Sequence, residues 1–117
     1  MGILPTLWEV CIMGVEMIFQ QYHIDQISSG IKTQTRRSIN SIYSVGRSYR
    51  VQPGRGKHGL FKIKILKVHL EKLGDISEED IRAEGHTTLE EFINVWRLIN
   101  KNYNPNEIVK VIKFEKE

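Results

Sequence analysis

Hydrophobic positions along this 117-residue chain fall into short, distinct periods. From Phe19, the segment QQYHIDQISSG places Tyr22, Ile24 and Ile27 near helical spacing and closes on Gly30, which predicts a short helix with a glycine stop. The following KTQTRRSINSIY (32–43) is polar and rich in Thr and Ser, and suits a loop or an irregular strand. VGRSYRV (45–51) predicts a short strand. QPGRGKHG (52–59), with Pro53 and three glycines, predicts a loop or hairpin turn.

The clearest strand signal is LFKIKILKVHL (60–70), where Phe61, Ile63 and Ile65 alternate with Lys62 and Lys64. The apolar parity then switches to Leu66, Val68 and Leu70, which predicts a β-bulge or a strand that changes neighbours. Ser77 before EEDIRAEG reads as an N-cap, with a helix stop at Gly85. Thr87 or Thr88 caps LEEFINVWRLIN at capping-box spacing to Glu90 or Glu91. Its expected buried stripe is Leu89, Phe92, Val95, Trp96 and Ile99, with Trp96 a core residue rather than a stacking platform. Asn104-Pro105 ends that helix, and IVKVIKFEK closes the chain as a strand. This order lacks regular βαβ alternation, so the expectation is an α+β domain built on a small barrel.

Composition changes little in this picture: 40% hydrophobic and 26% charged residues describe an ordinary globular chain. One cysteine, Cys11, excludes an intramolecular disulfide or a cysteine zinc site and fits a reducing, cytoplasmic setting. His23, His58, His69 and His86 lack helical metal-ligand spacing, so neither a metal site nor a cofactor is expected. MGILPTLWEVCIMGVEMIF is apolar but has no basic flank and carries Glu9 and Glu16, unlike a signal peptide or a membrane span. Met13 and Met17 offer alternative starts. Residues 1–16 are therefore read as an N-terminal extension or as an ordinary strand or helix packed on the core.

Charge changes the picture more. The net charge of +3 hides a segregation in which residues 30–67 hold ten bases and no acid, while 68–117 hold seven bases against eleven acids. Like charges within a Debye length of about 8 Å repel, so such a block calls for a polyanion or for the acidic remainder of the chain to offset it. A solvated strand face explains Lys62, Lys64 and Lys67 alone. The glycines at 54–59 let backbone N–H groups approach a phosphate, although this is not a Walker loop.

Several spaced pieces together resemble the ASCH domain, the activating-signal-cointegrator homology family of the PUA-like superfamily. They are G-I-K-T-Q-T-R-R (30–37), V-G-R (45–47), Y-R-V-Q-P-G-R-G-K (49–57), L-G-D-I-S-E-E-D-I-R-A-E-G (73–85), L-E-E-F (89–92), Trp96 and V-I-K-F-E (111–115). The resemblance covers about 17–117 and leaves 1–16 outside it. The basic Q-P-G-R-G-K loop is similar to that of archaeal-type, small single-domain members. What the resemblance implies is a mixed β-barrel of five or six strands with flanking short helices, and a cleft that binds RNA or nucleotide-like ligands. One bacterial branch hydrolyses N4-acetylcytidine with a Lys, a Thr and a Glu, which fall here on Lys32, Thr35 and Glu84.

A threonine hydroxyl needs a base to attack an amide, and Lys32 serves only if it is neutral. Burial and the field of Arg36 and Arg37 lower its pKa while Glu84 raises it, an opposition that sequence leaves unranked. Lys32 and Thr35 also stand an odd number of positions apart, so their cooperation requires a turn after Gly30. The plainer reading is a structural salt bridge between Lys32 and Glu84.

The leading expectation is binding of RNA or a nucleotide through Lys32, Thr33, Arg36, Arg37, Arg47, Arg50, Arg55 and Lys57, with Tyr43 or Tyr49 stacking on a base. The alternative is hydrolysis of N4-acetylcytidine by Lys32, Thr35 and Glu84. A weaker third is a protein-interaction module that meets an acidic partner.

Overall fold

In the computed structural model, which describes residues 16–54, 57 and 61–117, the hydrophobic periods become five strands and three helices. In chain order these are β1 (Glu16–Ile18), α1 (Gln21–Ser28), β2 (Gln34–Ser38), β3 (Ser48–Gln52), β4 (Phe61–Lys72), α2 (Glu78–Ala83), α3 (Leu89–Asn100) and β5 (Ile108–Lys116). A 3-10 turn over Leu73–Asp75 separates β4 from α2. None of the helices in the described residues is long and apolar enough to cross a membrane.

The strands form one mixed sheet in the order β1-β3-β4-β5-β2, with β1 parallel to β3 and the other pairs antiparallel. The α+β class is the expected one, but among the described residues the sheet stays open where a closed barrel was expected. Its edges β1 and β2 are instead bridged by a side chain, since Arg37 Nη2 on β2 donates to the Ile18 carbonyl at 2.8 Å. That bond satisfies an edge acceptor that a closed barrel would pair through its backbone.

The parity switch in β4 is a bulge, a register shift against β5 between Ile65 and Lys67. Before it, Ile63 and Ile65 are fully buried; after it, Leu66 and Leu70 are 49% and 56% exposed and only Val68 packs against the core. The bulge turns the second half of β4 away from the barrel-like interior, so the expected second apolar face is largely solvated.

Helix starts follow their caps. The Ser77 hydroxyl accepts from Asp80 N, and the Thr88 hydroxyl accepts from Glu91 N, as an N-cap should. The α3 stop differs from expectation: the helix ends at Asn100 with Lys101 at φ 72, ahead of Asn104-Pro105. Its buried face is also narrower. Phe92 and Trp96 join the core with Leu73, Ile76, Ile81 and Val109, but Leu89 and Ile99 are exposed and Val95 and Ile99 turn to a cavity. The larger core lies on the other side of the sheet, around Met17, Ile24, Tyr49, Ile63 and Ile112.

Candidate functional site

Gly30, at φ 86, ends α1 in the left-handed region that glycine adopts without steric cost. Ile31 N and Lys32 N then both bond the Gln26 carbonyl, at 2.9 and 3.2 Å, and Thr33 N bonds Ala83 O at 2.8 Å. Lys32 therefore sits in a turn ahead of β2 rather than within it. This is the turn that the odd spacing demanded, and it lets Lys32 and Thr35 line one cavity.

Glu84 reaches the same cavity from the end of α2, with its N–H bonded to Asp80 O at 2.9 Å. Gly85 follows at φ 98, and its carbonyl accepts from Gln26 Nε2 at 2.7 Å, which ties α1 to the Glu84 turn. A Cβ on Gly85 would collide with the Gln26 side-chain amide, 2.9 Å from its Cδ, besides straining the positive φ. Gly85→Ala is thus expected to destabilise the fold by about 2 kcal/mol or more, read as a lower urea midpoint at unchanged slope.

Around Glu84 the charges interlock. Lys32 Nζ donates to Glu84 O at 2.7 Å and to Glu84 Oε1 at 3.2 Å, while Arg36 Nη1 donates to Glu84 Oε2 at 2.9 Å. Arg36 also bonds Gln34 Oε1 at 2.6 Å, Glu71 Oε2 at 2.8 Å and Asp80 Oδ2 at 3.4 Å. The Arg36 side chain has 0% exposure and that of Lys32 1%. Burial pulls Arg36 down, yet the carboxylates of Glu84 and Glu71 outweigh it and hold the guanidinium above its usual value. Acidic residues from the second half of the chain thus neutralise part of the basic block internally.

For Lys32 the balance runs the other way. Burial is the largest influence and lowers its pKa from the ordinary lysine value; Glu84 opposes it, and Arg37 and Arg36 push further down. A neutral amine keeps two hydrogens, enough for both bonds to Glu84, and frees one lone pair. That lone pair is what a general base requires.

Thr35 Oγ1 accepts from Arg37 Nε at 3.3 Å. Half-buried Arg37 lies 4.7 Å from the Phe19 ring and 5.8 Å from that of Tyr43. The cavity encloses about 470 Å³. Its lining brings together Lys32, Thr35, Arg36, Arg37 and Glu84, the rings of His23, His86, Phe92 and Trp96, the apolar Ile18, Val95, Leu98 and Ile99, and the exposed polar Gln20, Ser38 and Asn100. Leu98 is 80% exposed.

The remaining expected ligands lie elsewhere. Thr33, Arg47, Arg50 and Lys57 are exposed and do not line the cavity, and Arg55 lies outside the described residues. Arg50 and Lys62 are cross-strand partners on β3 and β4, both exposed. Tyr49 is 1% exposed, with its hydroxyl accepting from Ser44 N at 2.9 Å, so its ring belongs to the core and has no free face. Tyr43 packs edge-on against it, with centroids 5.0 Å apart. Among the described residues, no group of three or more His, Cys, Asp or Glu is arranged to hold a metal ion.

His23 and His86 are cavity residues for which the sequence reading assigned no role, and Trp96, read as core and found there, also reaches the cavity lining. The signal for His23 was its place on the buried face of α1, one helical turn before Ile27. Burial first, then Lys32, His86 and Arg37, pull its pKa from 6.5 down to about 3, so the imidazole is neutral. The unfolded chain takes up a proton below 6.5 that the folded chain refuses until about 3, so stability is complete above 6.5 and is lost as pH falls through that window. With solvent screening at the cavity mouth, this amounts to about 1 kcal/mol by pH 5. Denaturant titrations at pH 7 and 5 should show that loss, and a His23→Phe variant should lack this part of it.

Solved structures allow a comparison. The crystal structure of the ASCH domain from Lactobacillus crispatus JV V101 matches at TM-score 0.72 and 16% identity, over 86% of this chain and 76% of that one. The fold is that of an ASCH domain. The hypothetical protein PH0355 shares it at TM-score 0.66 and 20% identity, over 87% of this chain and 97% of its own. So does protein EF3133 of Enterococcus faecalis V583, a DUF984 protein, at TM-score 0.62 and 20% identity, over 79% and 67%. No family model matches the sequence, and no curated protein does. The likeness of these ASCH-like structures is one of fold and does not separate one branch from another.

Proposed function

We propose that this ASCH-type protein hydrolyses the amide of an N4-acylated cytosine nucleoside, releasing cytidine and acetate from N4-acetylcytidine. The observation that carries this reading is the buried Lys32 amine, with its lowered pKa, sharing one nucleoside-sized cavity with Thr35 and Glu84. Lys32 takes the Thr35 hydroxyl proton as Oγ1 bonds to the acyl carbon, and Arg37 holds an Oγ1 lone pair so that the hydroxyl hydrogen points elsewhere. The C–N4 bond then breaks, the proton passes to the departing amine, and water cleaves the acyl-threonine ester to free acetate. Glu84 orients the Lys32 amine and accepts a proton in turn.

Binding of a polyanion in this cavity, the leading expectation from sequence, has less support. Among the described residues its Lys and Arg lining is Lys32, Arg36 and Arg37, the first two of which pair with Glu84 inside the protein. Arg37 is itself engaged with the Ile18 carbonyl and the Thr35 hydroxyl, so little unpaired cationic charge faces a phosphate there. Incubating the pure protein with N4-acetylcytidine should yield cytidine and acetate in equal amounts, and Thr35→Ala should lose the activity while keeping its unfolding midpoint. Full activity in Thr35→Ala would remove the nucleophile from the scheme.

The exposed Arg50–Lys62 pair, with Arg47, Lys57 and Lys64 also exposed, favours a second reading in which RNA is held outside the cavity. RNA affinity should then fall steeply with salt, and Arg50→Glu with Lys62→Glu should abolish it. A flat salt dependence would count against phosphate contacts there.

A further inference from the structure

The chemistry proposed for Lys32, Thr35 and Glu84 gives the two cavity histidines no part, and they differ in what they offer a ligand. His23 Nε2 is sealed from solvent without a hydrogen-bond partner among the described residues, so it meets nothing in the cavity. His86 is engaged on one side of its ring. Its Nδ1 lies 3.1 Å from Glu91 Oε1, and Glu91 Oε2 accepts from the Thr87 hydroxyl at 3.1 Å. Among the described residues His86 Nε2 makes no hydrogen bond, and unlike that of His23 it is not sealed from solvent.

Glu91 decides which nitrogen of His86 carries the hydrogen. A carboxylate only accepts, so Nδ1 donates, and the neutral imidazole then keeps its lone pair on Nε2. The bond from His86 is the largest of the influences that hold the Glu91 carboxyl below its ordinary range, which keeps it an acceptor. Helix capping does not ask for this arrangement. A capping box would return the Glu91 carboxylate to the Thr88 N–H, whereas here its two oxygens serve His86 and Thr87 and the Thr88 hydroxyl alone caps the helix. His86 also stands close to the reacting groups: it lines the same cavity two residues after Glu84, and two residues span at most about 7 Å. Around it, Arg36 and Arg37 bring donors alone, and both Glu84 carboxylate oxygens already accept a bond.

We infer that His86 Nε2 is the acceptor for the exocyclic N4–H of the bound cytosine, in the amide before cleavage and in the amine after it. This rests on the proposed function for the identity of the base, and it adds the residue that selects it. An N4-acylated cytosine presents one N–H at the reacting amide, and the released cytosine presents an NH2 in the same place. A pyrimidine without the 4-amino group leaves the acceptor unpaired, and a site built to bond an N–H rejects the analogue that lacks it. Glu91 is a positioning residue in this account, acting through the tautomer and orientation of His86.

Two measurements at mildly alkaline pH test it, and neither needs turnover. Nitrogen NMR of the histidine rings, assigned through bonds, should show His86 in the free protein protonated at Nδ1 and bare at Nε2. Adding cytidine should move the Nε2 resonance upfield, and the pyrimidin-2-one ribonucleoside, which lacks the 4-amino group, should leave it in place. By calorimetry, the wild type should bind cytidine about tenfold more tightly than that analogue, and His86→Phe should bring the two affinities within about threefold. Phenylalanine keeps a ring against His23 and Phe92, and comparing two ligands on one variant cancels any general loosening of the cavity. The NMR readout stands if His86→Phe does not fold. A free ring protonated at Nε2, an Nε2 resonance indifferent to cytidine, equal affinities in the wild type, or an undiminished ratio in His86→Phe would each overturn the inference. The expected nucleoside binding without hydrolysis of N4-acetylcytidine would instead sink the enzymatic reading and leave this one standing.

Discussion

Glu84→Gln is expected to destabilise the protein by about 3 kcal/mol and to reduce hydrolysis below detection. The carboxylate serves two donors at once: Oε1 accepts from Lys32 and Oε2 from Arg36, both of them buried side chains. Glutamine removes the charge and places an NH2 group against one of these donors. If that group faces Arg36 Nη1, the 2.9 Å contact becomes donor against donor; if it faces Lys32, the amine loses its side-chain acceptor. Breaking one member of a buried ionic cluster leaves charge uncompensated in a poorly solvated place, which is why the cost exceeds that of a surface pair. Glu71 and Asp80 continue to hold Arg36, so the fold should persist with a lower midpoint rather than collapse. A chemical denaturation midpoint no lower than that of the wild type would show that the cluster contributes nothing net.

Lys32→Met separates stability from activity in the opposite sense. Methionine has a similar length and no charge, so the variant no longer carries the cost of burying an amine, and Glu84 keeps its bond to Arg36. The expected result is a fold within about 1 kcal/mol of the wild type, or slightly more stable, with hydrolysis of N4-acetylcytidine reduced about a thousandfold or more. A merely structural Lys32–Glu84 bridge predicts the reverse: a large fall in midpoint and little change in turnover per folded molecule. Measuring both quantities on the same sample distinguishes the two roles.

Much of the fold was legible because it depends on local signals. Ser77 and Thr88 announced their helices through the hydroxyls that cap them, Gly30 and Gly85 marked stops that need positive φ, and the parity change in LFKIKILKVHL marked the bulge. What misled was long-range. Nothing near Leu70 or Ile99 in sequence says that the bulge and the cavity turn these side chains outward. The open edge between β1 and β2, spanned by Arg37, likewise depends on partners nineteen residues apart.

The site divides along the same line. Lys32, Thr35 and Glu84 were recognisable as residues, but their relation was not, because the sign of the Lys32 shift depends on how completely the turn after Gly30 buries the amine. The ten bases without acidic neighbours suggested a polyanion site. In three dimensions Glu71, Asp80 and Glu84, all from the acidic second half, fold back onto Arg36, and the exposed remainder includes Arg47, Arg50 and Lys62. His23 was given no role because a lone histidine looks alike in sequence whether it faces solvent, core or cavity, whereas Trp96 was read as core and lies there.

The account turns on a Lys32 amine that burial holds below the ordinary lysine range despite its carboxylate neighbour. Its ionisation can be followed directly by heteronuclear NMR of the lysine side-chain Cε and Nζ resonances against pH, with Lys32→Met assigning the signal. The account predicts one lysine that titrates well below the exposed ones, and whose protonation coincides with the acidic limb of the rate of cytidine release. A Lys32 that titrates together with, or above, the solvent-exposed lysines would contradict it.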